Sequence, residues 1–388
     1  MTHRLFRLAA LVAALLLPHA AQAAPPPMQA GMPFQFYEKV VESQAATAFL
    51  RADYAALEDM ARRFRDSKSR TPIGSADLQQ FYLAFDFPTT GDPAEDDRQL
   101  DRLERKALDW ARAYPNSPTP HIVYAMLLQA HGCAVCASGY TPERFKVYQS
   151  YLDQARNYLL AHKDIASRDP QWYVEMLVLA DDQNEEPTVW RPLLAEAMDR
   201  FPNYYAVYHA GTTLYADAGD ADGLDNLIDD AVARTQAADG MELYARLYGY
   251  AGFARFDGGK TLFVASHAGW PRMLGSYIEL TNKYPDPYLY EEMFFYACVA
   301  GDKVSARRAL PHLLPVQRPD MEPADIAACS AWVTDKSNAP SPLFVPAAAP
   351  RADSMSRTNP MALTSDQAIL ATLAGVAVLI WITVRAIV

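Results

Sequence analysis

Positive charge is scarce in this chain: 35 Lys and Arg stand against 46 Asp and Glu, a formal charge of −11 over 388 residues. Nucleic-acid binding rests on Lys and Arg neutralising phosphates, and broad adhesion to anionic lipid rests on the same residues, so the balance argues against both. Cysteine is sparse, with four, and the eight histidines are scattered, His3 and His19 falling in the first segment of the chain. The sequence carries no nucleophile elbow, no glycine loop of the kind that cradles phosphate and no paired-histidine metal motif. No catalytic residue, cofactor site or metal site is therefore assigned. Apolar residues are abundant instead, at 51%, enough for a large core and too many for disorder across the body.

Both ends of the chain point to a membrane. Residues 1–23 read as a cleavable secretion signal: His3, Arg4 and Arg7 make a cationic start, Leu8–Leu17 is apolar, and Ala21-Gln22-Ala23 is a small-residue cleavage site. Ala368–Val384 is an uncharged apolar run ending in Arg385. At about 1.5 Å per residue it spans roughly 25 Å, slightly short of a ~30 Å hydrocarbon core, and snorkelling of Arg385 lets the last three residues add length. Arg385 on the inner side obeys the positive-inside rule if the body is exported. The expected organisation is a signal at 1–23, a flexible leader at 24–33, a helical body at 34–335, a disordered linker at 336–366 and a transmembrane anchor at 367–388. The linker is expected from Pro340, Pro342, Pro346, Pro350 and Pro360 among Ala and Ser. The body would sit on the periplasmic side of a cell membrane, held by a single pass.

The body carries an internal repeat. Tyr114-Pro115, Phe201-Pro202 and Tyr284-Pro285 are spaced by 87 and 83 residues, and a glycine follows each proline at +17, +17 and +16: Gly132, Gly219 and Gly301. Asp follows the last two, as Asp220 and Asp302. Proline suits the first turn of a helix, and glycine supplies the left-handed position that ends one, so each unit predicts a helix of about four turns. Second helices are expected over Ala221–Ala233 and Lys303–Leu314. Thr141-Pro142-Glu143 and Asp169-Pro170 mark two further helix starts, each a capping side chain before a proline. The 22 Tyr, 16 Phe and 6 Trp are expected to fill the space between helices.

Helix, Gly-Asp turn, helix and aromatic-proline boundary together resemble the tetratricopeptide pattern, best over Pro202, Tyr208, Tyr215 and Gly219-Asp220; Arg51–Tyr54 with Leu57, Ala61 and Phe64 looks like the turn and second helix of an earlier unit. Several stretches also resemble a bacterial family known as domain of unknown function 4034. They are Asp53-Tyr54-x-x-Leu57, Gly139-Tyr140 with Phe145, Asp169-Pro170-x-Trp172-Tyr173, Glu196-Ala197 before Pro202-x-Tyr204, Tyr244-Ala245-Arg246-x-Tyr248, and Ala297-Cys298 before Gly301-Asp302. The resemblance covers residues 45–335 and implies an α-helical repeat body, with no catalytic residues to carry over. The expected fold is all-α: stacked antiparallel helix pairs in an α-α superhelix, tetratricopeptide-like, with a C-terminal transmembrane helix.

The cysteines are the residues most open to chemistry. Export would place Cys133, Cys136, Cys298 and Cys329 in an oxidising compartment, where an even count favours disulfides; three pairings are possible, of which Cys133–Cys136 with Cys298–Cys329 is the one expected. Cys133-Ala134-Val135-Cys136 also has redox spacing, but it follows a helix expected to end near His131-Gly132, with no surrounding βαβ pattern. His131, Cys133 and Cys136 are a third possibility as metal ligands, lacking an evident fourth. Asp217, Asp220, Asp222, Gly223, Asp225, Asp229 and Asp230 resemble part of a calcium loop, but Ala218 occupies its first position, and a repeat turn explains Gly219-Asp220 more simply. Asp181–Glu186 reads as a solvated loop. The function expected is that of a membrane-tethered scaffold binding an unknown protein or peptide, with a thiol–disulfide redox protein using Cys133 and Cys136 as the alternative.

Overall fold

The computed structural model describes residues 32–137, 139, 141–314 and 321–345, and the helical body is taken by itself from Pro33. It is all-α, with no strand among the described residues and one isolated bridge between Arg70 and Ala76. The signal, most of the leader, the linker from residue 346 and the apolar run at 368–384 lie outside the described residues. Among those described, no helix is long and apolar enough to cross a membrane.

The first part holds α1 (Phe34–Leu50), α2 (Tyr54–Ser67), α3 (Asp77–Leu83) and α4 (Pro93–Ala113). The middle holds α5 (Pro118–Ala137), α6 (Pro142–Ala161), the short α7 (Lys163–Ala166), α8 (Pro170–Asp182), α9 (Pro187–Arg200), α10 (Ala206–Asp217) and α11 (Ala221–Asp239). Then come α12 (Glu242–Arg255), the short α13 (Leu262–Ala265), α14 (Trp270–Lys283), α15 (Pro287–Val299), α16 (Lys303–Ala309) with a 3-10 turn at Leu310–His312, and α17 (Pro323–Thr334).

Local chemistry sets most of these boundaries. The side chains of Asp53, Asp92, Thr141, Asp169, Asp220, Asp286 and Asp302 each accept a hydrogen bond from an amide of the first turn they precede. Four of them stand before a proline at the first helical position, Pro93, Pro142, Pro170 and Pro287, where the missing N–H loses nothing. Gly219 and Gly301, at φ +64° and +72°, end α10 and α15 as the repeat predicts.

Two features of the repeat differ from expectation. Tyr114, Phe201 and Tyr284 close the helices before them, and Pro115, Pro202 and Pro285 lie in the connections, two to four residues before α5, α10 and α15 begin. These prolines stop one helix rather than start the next, because a proline cannot continue the ladder. Gly132 does not end α5, which runs on to Ala137. A Cβ there would lie 3.0 Å from the Tyr148 ring and 3.1 Å from Tyr151 Cβ, so this glycine admits α6 against α5.

Neighbouring helices pack in chain order, and α8, α10 and α12 also pack on one another in sequence. The step from α12 to α15 is close: Tyr296 Oη donates to Gly249 O at 2.8 Å, and a Cβ at Gly252 would collide with the same hydroxyl. Trp110, Trp172 and Trp190 are fully buried between helices, with Phe49, Phe81 and Phe85 in the first part.

The segment around α2 and α3 ties distant elements together. Arg65 donates to Asp169 at 2.8 Å and to Thr119 at 2.7 Å, and Tyr82 Oη donates to Asp169 at 2.8 Å. Arg70 reaches Asp239 at 3.2 Å, and Arg246 donates to Ile73 O. The amide of Phe34 donates to Asp286 at 2.8 Å, and its ring meets Tyr288 edge-on. One stretch of some fifty residues thus touches helices from α5 to α15.

At the other end, Cys298 on α15 is bonded to Cys329 on α17, with Cα atoms 6.1 Å apart and both side chains buried. The body does not stop at Asp335. Lys303 Nζ donates to the carbonyls of Asp335 and Ser337 at 2.8 and 2.9 Å, Trp332 Nε1 donates to Ala339 O at 2.8 Å, and Leu343 is buried. Residues 336–345, expected to begin the linker, therefore lie against the body.

Candidate functional site

The last two turns of α5 carry three of the residues that sequence reasoning singled out, and they do not converge. His131 and Cys133 are two residues apart, so they point to nearly opposite sides of the helix. His131 is buried against α4 and α6: Nδ1 lies 2.6 Å from Glu104 Oε1, Nε2 lies 3.1 Å from Asp97 Oδ1 and 3.2 Å from Tyr151 Oη, and the Tyr151 ring stacks on the imidazole at 4.3 Å. Burial alone would lower its pKa; the hydrogen bond and charge of Glu104, then those of Asp97, outweigh that and raise it. The third possibility, a trio of His131, Cys133 and Cys136, is not assembled, since the imidazole and the Cys133 thiol leave α5 on different sides.

Cys133 and Cys136 are both free thiols, against the bond expected between them. On a continuous helix, residues three apart leave the axis about 60° from each other, so the two cysteines share one side of α5 without being bonded there. Burial pushes both thiols up, and Cys133 is raised further by Asp182, Cys136, Asp86 and Glu175. The activating helix N-terminus of a redox pair is absent here, since both sulfurs lie at the C-terminal end of α5.

The groups acting on Cys133 form a row of carboxylates. Glu175 projects from α8, is 3% exposed, and its Oε1 meets no hydrogen-bond partner among the described residues. Burial, then the charge of Asp182, pushes Glu175 up to about 8. Asp182, in the last turn of α8, is pushed by burial to about 6, although Gln129 Nε2 donates to it at 2.6 Å. Asp86, after α3, and Glu42, on α1, are raised by burial, Glu42 being held in part by Lys39 at 3.5 Å. Asp181 is raised by burial and by Asp217, which Arg255 pairs at 2.6 Å. Asp181 and Asp182 thus belong to α8 and are half-buried, not part of a solvated loop.

The aspartates that resembled a calcium loop are dispersed among separate partners. Asp220 caps α11 through the amide of Gly223 at 2.8 Å and pairs with Arg191 at 2.6 Å, and Asp225 takes Tyr248 and His267. Cys298 and Cys329 are structural, away from the carboxylate row. Sequence reading passed over Asp86 and Glu175, which come from segments 89 residues apart. The available signal was faint: a carboxylate in the otherwise apolar run from Trp172 to Ala180.

What this row offers chemically is a set of carboxylates whose burial favours the neutral form, with Glu175 Oε1 lacking a hydrogen-bond donor that another molecule could bring. Compared with protein families, curated proteins and solved structures, the chain finds no match.

Proposed function

We propose that this is a membrane-tethered, exported helical-repeat protein that holds a positively charged protein or peptide segment along the carboxylate row. Its helices group as antiparallel pairs, α8 with α9, α10 with α11, α15 with α16, in a tetratricopeptide-like stack, as a relative of the domain of unknown function 4034 family would have. Stacked pairs of this kind present extended surfaces rather than a catalytic cleft. The signal at 1–23 and the apolar run at 368–384 give the topology: body on the periplasmic side, one pass near the C-terminus. A chain truncated after Ser365 would then be released as a soluble exported protein; recovery in the integral-membrane fraction would reject the single anchor.

The observation that carries the binding role is Glu175, a buried carboxylate with an unsatisfied oxygen and Asp182 near enough to act on it. A lysine or arginine supplied by a partner would allow these groups to ionise and would satisfy that oxygen. Fluorescence anisotropy with an arginine-rich peptide tests it. Binding should weaken with salt and fall at least tenfold in the double variant Glu175→Gln, Asp182→Asn. Equal affinity for an acidic peptide of the same length, or no loss in the double variant, would refute the role.

The thiol–disulfide alternative has in its favour only the two free sulfurs at redox spacing. The raised thiols weigh against it. Its test is the reduction potential of the pair and the rate of its reaction with a thiol probe.

A further inference from the structure

We propose that His131, Glu104 and Asp101 form a binding site for one divalent transition-metal ion, zinc by preference, with Asp97 orienting the imidazole. The site lies on the side of α5 away from the carboxylate row and is independent of the peptide-binding role.

The spacing on α4 builds half of it. Asp97, Asp101 and Glu104 fall at i, i+4 and i+7, which brings three carboxylates to one stripe of the helix. The helix α5 packs against α4 and delivers one buried imidazole to that stripe. Gly132, by letting α6 approach, seats the Tyr151 ring on the other face of the imidazole. Ligand atoms of Asp101, Glu104 and His131 lie within 4.8 Å of one another. Zinc holds oxygen and nitrogen at about 2.0–2.2 Å, so such atoms need only close in by small side-chain rotations.

The charge balance favours a dication. One imidazole, even protonated, carries a single positive charge against three carboxylates. Arg105 pairs with Asp101 at 3.3 Å, but its side chain is 64% exposed and is free to swing out. The two nitrogens of His131 are already differentiated. Nδ1 faces Glu104 at 2.6 Å, where an ion would enter, and Nε2 faces Asp97 at 3.1 Å. A carboxylate on the distal nitrogen is the arrangement that fixes the tautomer of a metal-bound histidine. A donor set of one imidazole and two carboxylates, without sulfur, suits zinc and is too small for calcium, which takes six or more oxygens. The Asp101 side chain is 47% exposed, which gives an ion a way in and leaves a coordination position for water.

Isothermal titration of the full chain in detergent with zinc chloride tests this. One zinc per chain is expected. Asp101→Asn, at a half-exposed position that leaves the fold intact, should weaken binding at least tenfold, as should Glu104→Gln. Asp97→Asn should weaken it 10–100-fold through the imidazole it orients. The pair Cys133→Ser, Cys136→Ser should bind as the parent does, and cobalt in place of zinc should give no thiolate charge-transfer band. Absence of uptake at 100 μM zinc, or uptake undiminished in Asp101→Asn, or uptake lost with the two cysteines, would each overturn the site.

Discussion

Arg65 and Asp169, 104 residues apart in sequence, meet at 2.8 Å, and the same buried carboxylate that receives the guanidinium also caps α8 and accepts from Tyr82. One side chain thereby joins the start of a helix in the array to the segment that runs across it. Removing the charge leaves Arg65 largely buried without its partner. Asp169→Asn, which keeps the cap, should cost about 3 kcal/mol, and Asp169→Ala about 1 kcal/mol more for the lost cap. Urea denaturation measures both. Limited trypsin digestion adds a local readout: the bonds after Lys68 and Arg70 should become cleavable before the rest of the body. Uniform protection in Asp169→Asn would mean that the segment is held by its other contacts.

Three glycines should respond in three different ways to the same added methyl. Gly252→Ala drives a Cβ into the Tyr296 hydroxyl where α12 and α15 touch, and should destabilise by about 1–3 kcal/mol. Gly219→Ala meets no atoms within 4 Å, but its φ of +64° strains any other residue, so a loss near 1 kcal/mol is expected. Gly275→Ala lies on an exposed face of α14 with nothing near it, and should be neutral or gain about 0.4–1 kcal/mol. Thermal melts of the three variants check the order, and a stabilised Gly252→Ala would contradict the close approach of the two helices.

What could be read from sequence divides along locality. Asp169-Pro170 and Gly219-Asp220 are legible because a cap and a left-handed turn are decided within four residues. Gly132 has the same spacing and a different role, because its demand comes from Tyr148 and Tyr151 on another helix. The Cys298–Cys329 bond is one of the two expected from the sequence, and α15 and α17 bring its cysteines together. That α5 continues past Gly132 and carries Cys133 and Cys136 within a helix is announced by no local residue. Asp86 and Glu175, or His131 and Glu104, become neighbours only through packing. Their chemistry could not be seen in spacing along the chain. Charge composition gave no hint of which carboxylate would be buried without a donor; Glu175 is one only because α8 packs its apolar run into the core.

Glu175 makes stability depend on pH. Its pKa in the fold, about 8, lies above the ordinary carboxylate value near 4.3 expected in the unfolded chain. At low pH both states hold the proton and the site is neutral to folding. As pH rises through the ordinary value the unfolded chain ionises first, so stability falls until the folded pKa is passed, with a slope of at most about 1.4 kcal/mol per pH unit. Glu175→Gln removes that dependence. Relative to the parent, the variant should be little changed at pH 4.5 and clearly more stable at pH 8 by urea denaturation. A difference that stays constant with pH would mean that Glu175 ionises as freely in the fold as outside it.

The cysteines give two outcomes of different size. Cys298 and Cys329 join α15 to α17 across a separation of 31 residues, and closing a loop of that length in the unfolded chain is worth roughly 3–4 kcal/mol in the chain-entropy account. Cys298→Ser with Cys329→Ser should lower the melting temperature by several degrees, and reduction of the parent should have the same effect. It should also release α17 and the strand of chain behind it, seen as faster amide exchange at Trp332 and Leu343. Cys133→Ser is a change of a half-buried free thiol to a hydroxyl of similar size, so it should move the melting temperature by much less. Peptide mapping under non-reducing conditions should recover one disulfide and two alkylated cysteines per chain. If Cys133→Ser instead abolishes partner binding while the melting temperature holds, the scaffold reading fails and the redox reading takes its place.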